Sequence, residues 1–73
     1  MPKLVPITPK KMVKILVKLG FEKRDAEGSH LFFRHADGRT TVVSMHTKDI
    51  GRGLLRKILS DVQLTVEEYD TLR

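Results

Sequence analysis

Apolar positions recur every three to four residues near the start of this chain, every two in its middle, and every three to four again towards its end. Met12, Ile15, Leu16 and Leu19 fall at i, i+3, i+4 and i+7, one stripe of an amphipathic helix. Thr8 precedes the stripe as an N-cap, Pro9 takes the first helical position, and Gly20 follows as a C-terminal stop. The pattern therefore predicts a helix over about residues 9–19. Ile7 and Met12 stand where a hydrophobic staple forms. Upstream, Pro2 and Pro6 resist helix, and residues 1–7 are expected to be an extended lead-in.

In the period-two region, residues 21–24 read as a short strand and residues 25–29 as a polar loop. Leu31-Phe32-Phe33 makes a second strand and residues 40–45 a third, with Ala36-Asp37-Gly38 between them. Asp-Gly admits a two-residue turn that pairs Ala36 with Arg39, or a three-residue loop that pairs His35 with Arg39. The second register sorts the side chains. Leu31, Phe33, Thr41, Val43 and Met45 then share one face, and His30, Phe32, Arg34, Thr40, Val42, Ser44 and His46 the other. A slip of one residue would turn one strand's set over, so burial favours the three-residue loop. That register also places His30 and His46 on the same open face.

Gly51-Arg52-Gly53 leads into a second helix whose buried stripe reads Leu54, Leu55, Ile58, Leu59 and Val62. Thr65-Val66-Glu67-Glu68 is a capping box that opens a short last helix bearing Tyr69 and Leu72. Two helices with apolar stripes and a sheet with one apolar face form a two-layer α-β-β-β-α sandwich of the α+β class, with a short C-terminal helix. The far face of the sheet stays uncovered. At 73 residues the chain is one domain with a small core.

Composition narrows the chemistry. Fourteen Lys and Arg against nine acids give a net charge of +5 and favour a polyanionic partner such as RNA or DNA. No cysteine is present, which excludes disulfides and thiolate metal sites and suits a reducing cytosol. No apolar run reaches the roughly 18–20 residues of a membrane span, and the first residues lack a signal-peptide core. A cytoplasmic protein without a membrane contact is the expectation.

The candidate chemistry centres on Gly28-Ser29-His30, with His46 sixteen residues later. The plain reading of His30 is a polar residue opening a strand after a glycine loop. The functional reading is a general acid or base, since imidazole exchanges protons near neutrality. Gly28 would let a phosphate approach the backbone, and Ser29 could hydrogen-bond a phosphate oxygen or hold the imidazole. RNA carries its own nucleophile, the 2′-hydroxyl beside the scissile phosphate. Cleavage then needs a base, an acid and positive charge, and neither a metal nor a serine triad. One histidine could serve as base and then acid, or His46 could share the work. His46 reads equally as a strand-end residue, and a two-histidine metal site would have no third ligand beyond Asp49. His35 falls on the core side and reads as structural.

Lys10, Lys14 and Lys18 read as a solvated face of the first helix. Lys48, Arg52, Arg56 and Lys57 cluster at the start of the second, where free backbone N–H groups make a phosphate site or ordinary helix-start punctuation. Phe32 on the open face could stack a base or cover a partner protein.

Several segments together resemble the HicA (YcfA-like) family of mRNA interferase toxins. They are Lys18-Leu19-Gly20-Phe21, Gly28-Ser29-His30, Asp37-Gly38-Arg39, Val42-Val43 leading to His46, Gly51 through Leu59, and Leu64-Thr65-Val66-Glu67-Glu68. The resemblance implies a fold like the double-stranded-RNA-binding domain and a metal-independent endoribonuclease that cleaves mRNA without a cofactor. It also implies inhibition by a HicB-type antitoxin, with the catalytic histidine at His30. Substrate contacts are expected from Gly28, Ser29, His46, Lys48, Arg52 and Arg56. A homodimer and a hetero-oligomer with the antitoxin are both compatible with this. This chain departs from the family pattern at Ser44, where proline is common, and at Asp25-Ala26-Glu27, where the family is more basic. The rival reading is a non-catalytic RNA-binding module of the same fold.

Overall fold

The computed structural model describes residues 4–73. Helix α1 spans Pro9–Lys18, strands β1, β2 and β3 span Glu22–Glu27, His30–Arg34 and Thr40–Ser44, and helices α2 and α3 span Arg52–Val62 and Val66–Leu72. The strands form one antiparallel sheet in the order β1-β2-β3. The chain is thus an α+β sandwich of the α-β-β-β-α type, as its periodicities require.

Helix α1 starts and stops as its caps dictate. The Thr8 hydroxyl accepts the Lys11 amide at 3.3 Å, Pro9 follows, and Leu19 is the C-cap. Gly20 then turns the chain at φ 94°, beside the His35 ring. A Cβ at Gly20 would lie 3.1 Å from His35 Nε2, so both backbone conformation and space demand glycine there. Gly20→Ala is expected to destabilise the fold by about 1–3 kcal/mol, the cost of a strained backbone region with crowding added. A urea melt that leaves the midpoint unmoved would contradict this.

The β2–β3 connection takes the three-residue loop. His35 N–H donates to Arg39 O at 2.8 Å, Gly38 N–H to His35 O at 2.9 Å, and Gly38 adopts φ 99°. The ladder pairs Leu31 with Val43, Phe33 with Thr41 and Arg34 with Thr40. Phe33, Thr41 and Val43 are buried against the helices, with Leu31 and Met45 partly so, while His30, Arg34, Thr40 and Val42 face water. The one buried polar side chain among the described residues, Thr41, donates its hydroxyl to Asp61 Oδ2 at 3.1 Å.

Beneath the sheet, Met12, Ile15 and Leu16 of α1 meet Leu55, Ile58, Leu59 and Val62 of α2. Leu54 is not part of that stripe. It is 39% exposed, because it sits about 100° round the helix from Leu55. Helix α2 also begins two residues early, with Gly51 as N-cap and Arg52-Gly53 already helical. The capping box of α3 forms in full: Thr65 Oγ1 accepts from Glu68 N–H and Glu68 Oε1 from Thr65 N–H. These bonds hold the Glu68 carboxyl below its usual pKa, the Thr65 backbone bond first and the hydroxyl second. Ile7 pairs with Ile50 through a single bridge, closing the extended lead-in onto the segment before α2.

Strand β1 corrects the sequence reading. Residues 25–27 are strand rather than loop, and only Gly28 and Ser29 turn the chain. Every residue of β1 is exposed, and a bulge near Arg24 interrupts its pairing with β2. An edge strand lying beyond the helical layer has no core face, so it shows no alternation to read. Its Glu, Lys, Arg and Asp side chains are what edge strands use against unwanted pairing.

Candidate functional site at the hairpin tip

Gly28 takes φ 61° at the first position of the two-residue β1–β2 turn, where turns of the II′ kind take glycine. Glu27 and His30 thereby become a cross-strand pair, and His30 opens β2 at the tip of the sheet. On its other side His30 pairs with Ser44. Cross-strand Cβ atoms lie about 4.5–5.5 Å apart, so the imidazole stands exposed in a row between a carboxylate and a hydroxyl. The hairpin tip is tied down by Met45 N–H, which donates to Ser29 O at 2.7 Å. That bond anchors the segment carrying His46 and Lys48 beside Ser29 and His30. Pairing ends there. His46 lies past the ladder, exposed, in a bent segment that no longer obeys the sheet's alternation.

The remaining expected contacts divide. Lys48 is exposed and shares a shallow depression of about 260 Å³ with Lys10, Thr8 and Met45. Arg52 instead turns its Nε to Leu4 O at 3.2 Å and fastens the lead-in to α2. Its guanidinium serves the fold. Arg56 is exposed one turn further along, and no hydrogen bond joins it to the hairpin tip.

His35 has the structural role its position suggested. Its ring meets Phe21 edge-on at 5.2 Å between centroids, and its Nδ1 accepts the Asp37 amide at 3.1 Å. Arg39 spans the same corner: its guanidinium lies 5.2 Å from the Phe21 centroid, pairs with Asp37 at 2.7 Å and donates to Val62 O. The Arg39 backbone amide, followed by its side chain, holds the Asp37 carboxyl below its ordinary pKa.

Two features escaped the sequence reading. Lys11, rather than Lys10, joins Lys14, Lys18 and Arg73 around a groove of about 290 Å³ floored by Ile7, Ile15 and Leu72. The spacing of Lys11, Lys14 and Lys18 at i, i+3 and i+7 was the available signal. On the open face, Arg24 and Arg34 flank Phe32 and Val42 around a depression of about 360 Å³. Arg24 was unreadable as a member because a bulge sets its position.

A basic α+β domain with helices on one face of a three-stranded antiparallel sheet is the architecture of double-stranded-RNA-binding-type domains, here with an exposed histidine at a hairpin tip. The family model described as HicA toxin of bacterial toxin-antitoxin matches residues 9–64, well over half of the 73-residue chain. The chain belongs to the HicA toxin family, toxins that are paired with an antitoxin. No curated protein matches it. No helix among the described residues is long and apolar enough to cross a membrane.

Proposed function

We propose that this toxin is an endoribonuclease that cuts mRNA, with His30 as the general acid–base group. The observation that carries the reading is the placement of His30: exposed, first in β2, behind a glycine turn, with Glu27 and Ser44 on either side. The imidazole removes the proton of the 2′-hydroxyl, and the 2′-oxygen attacks the adjacent phosphorus. The P–O5′ bond breaks and the leaving oxygen takes a proton from imidazolium. His30 performs both transfers in turn, or His46 supplies one of them. Because the nucleophile comes from the substrate, the reaction needs no metal and no cofactor. Gly28 leaves the approach open, Ser29 contributes a hydroxyl, and Lys48 and Arg56 offer positive charge to the strand.

The antitoxin, a HicB-type protein, acts by covering the open sheet face and so occluding substrate. An mRNA substrate and a protein antidote place the action in the cytoplasm. The test uses a short RNA and its counterpart with a single 2′-deoxy nucleotide at the cut position. Cleavage of the first to a 2′,3′-cyclic phosphate and a free 5′-hydroxyl, unaffected by EDTA, is expected, with the second left whole. Cutting of the deoxy substrate would overturn the mechanism.

A further inference from the structure

We infer that the open sheet face beside His30 is a seat for one unpaired nucleobase, built by Phe32 and Val42 and flanked by Arg34 and Arg24. The inference rests on the nuclease reading and gives its site a substrate subsite. Phe32 and Val42 are direct cross-strand partners. Val42 is 38% exposed, one of three large apolar side chains left so open among the described residues. Together they form an apolar spot in the middle of an otherwise polar face, floored by a depression of about 360 Å³.

Register fixes what lies around that spot. Phe32 follows His30 by two residues on the same face, and Arg34 follows Phe32 by two more. With about 3.3 Å of rise per residue, acid–base group, aromatic ring and cation are spaced roughly 6.6 Å apart along one line. A single strand laid along β2 would set its scissile linkage at His30, a neighbouring base on Phe32 and a phosphate two linkages further on at Arg34. An aromatic ring with an adjacent arginine is the usual platform for unpaired bases, whereas a duplex keeps its bases stacked and out of reach.

Charge on this face is mixed, and its arrangement favours the same path. Glu22, Asp25 and Glu27 lie across from Arg34, Phe32 and His30 on β1. Asp25 turns its carboxylate to the Ala26 amide at 2.8 Å, and Glu22 meets Arg24 at 3.8 Å. Arg34 has no ion-pair partner among the described residues and stands beside uncharged Thr40. The backbone phosphates therefore run over the β2–β3 side, away from the β1 acids.

The test separates this inference from the nuclease reading by measuring binding in a His30→Ala background, where cutting is expected to be slowed at least about a hundredfold. A short single-stranded RNA is titrated into methyl-labelled protein and followed by fluorescence anisotropy in parallel. The Val42 methyls, on the open face, are expected to shift, while those of Val43, on the core face, stay put. Phe32→Leu keeps the spot apolar but removes the ring, and is expected to weaken binding about 5- to 150-fold, the equivalent of about 1–3 kcal/mol of stacking. Phe32→Tyr is expected to restore it. Unmoved Val42 signals, or equal affinity in Phe32→Leu, would overturn the inference. So would protection of this face by the antitoxin alone with RNA binding elsewhere. Cleavage by the parent protein alongside that result would leave the nuclease reading standing. Ring-dependent binding without any cleavage by the parent protein would sink the nuclease reading and keep the base seat.

Discussion

His30→Ala is expected to lower RNA cleavage about a hundredfold to ten-thousandfold, the usual contribution of a positioned acid–base group, and to abolish growth arrest. Its melting temperature should match that of the parent protein. The contrast follows from geometry. His30 is exposed at the first position of β2 and takes part in no side-chain hydrogen bond or ion pair among the described residues. Surface substitutions of that kind shift stability by no more than about 0.5 kcal/mol. Paired induction of parent and variant, with RNA ends mapped in both cultures, reads the effect directly. Normal growth and intact transcripts in both cultures would remove the enzymatic reading. Binding of RNA without cleavage by the parent protein would leave an RNA-binding module of the same fold.

His30 and His35 show why charge and residue type alone do not find a site. Both lie in β2 or at its end, five residues apart, so their side chains point to opposite faces. His35 is drawn under the turn against Phe21 and Gly20, and His30 is left in solvent. The alternation of Leu31, Phe33, Thr41 and Val43 was enough to sort them, because burial of one face fixes the register. Where no face is buried, that logic fails. Residues 25–27 carry three exposed side chains in an edge strand, so backbone pairing alone makes them β. The same gap hid Arg24, whose place beside Phe32 depends on a bulge.

The basic residues were legible in number and much less so in position. Arg52 looked like a phosphate contact at a helix start, but its guanidinium reaches the Leu4 carbonyl, a partner 48 positions away in sequence. Long side chains that tie distant segments together are invisible to local pattern. Leu54 errs in the other direction: it is apolar and adjacent to the stripe, and the helical period of 3.6 residues still carries it out of the core.

The second large effect is on stability and lies outside the family match, which ends at residue 64. Tyr69 of α3 is fully buried, and its hydroxyl donates to Val5 O in the lead-in before α1. The two flanks of the matched region are thus fastened to each other through one side chain. Tyr69→Ala removes a large buried ring, a change that costs about 3–5 kcal/mol. A domain of 73 residues has about 4–11 kcal/mol in total, so the variant is expected to be substantially unfolded at growth temperature. Tyr69→Phe keeps the ring and loses only the hydrogen bond, a cost of about 0.5–1.5 kcal/mol. The pair also differs in pH response. Burial, ahead of the opposing charges of Arg73 and Asp70, raises the Tyr69 phenol above its ordinary value of 10.0. The folded protein therefore keeps that proton to higher pH than the unfolded chain does. The stabilisation is complete below about pH 10 and is lost as pH rises through the folded value. Urea midpoints for the parent protein and Tyr69→Phe should run parallel up to about pH 10 and converge above it. Curves that stay parallel into the alkaline range would show that the phenol is not sequestered, and that α3 does not close over the lead-in as described.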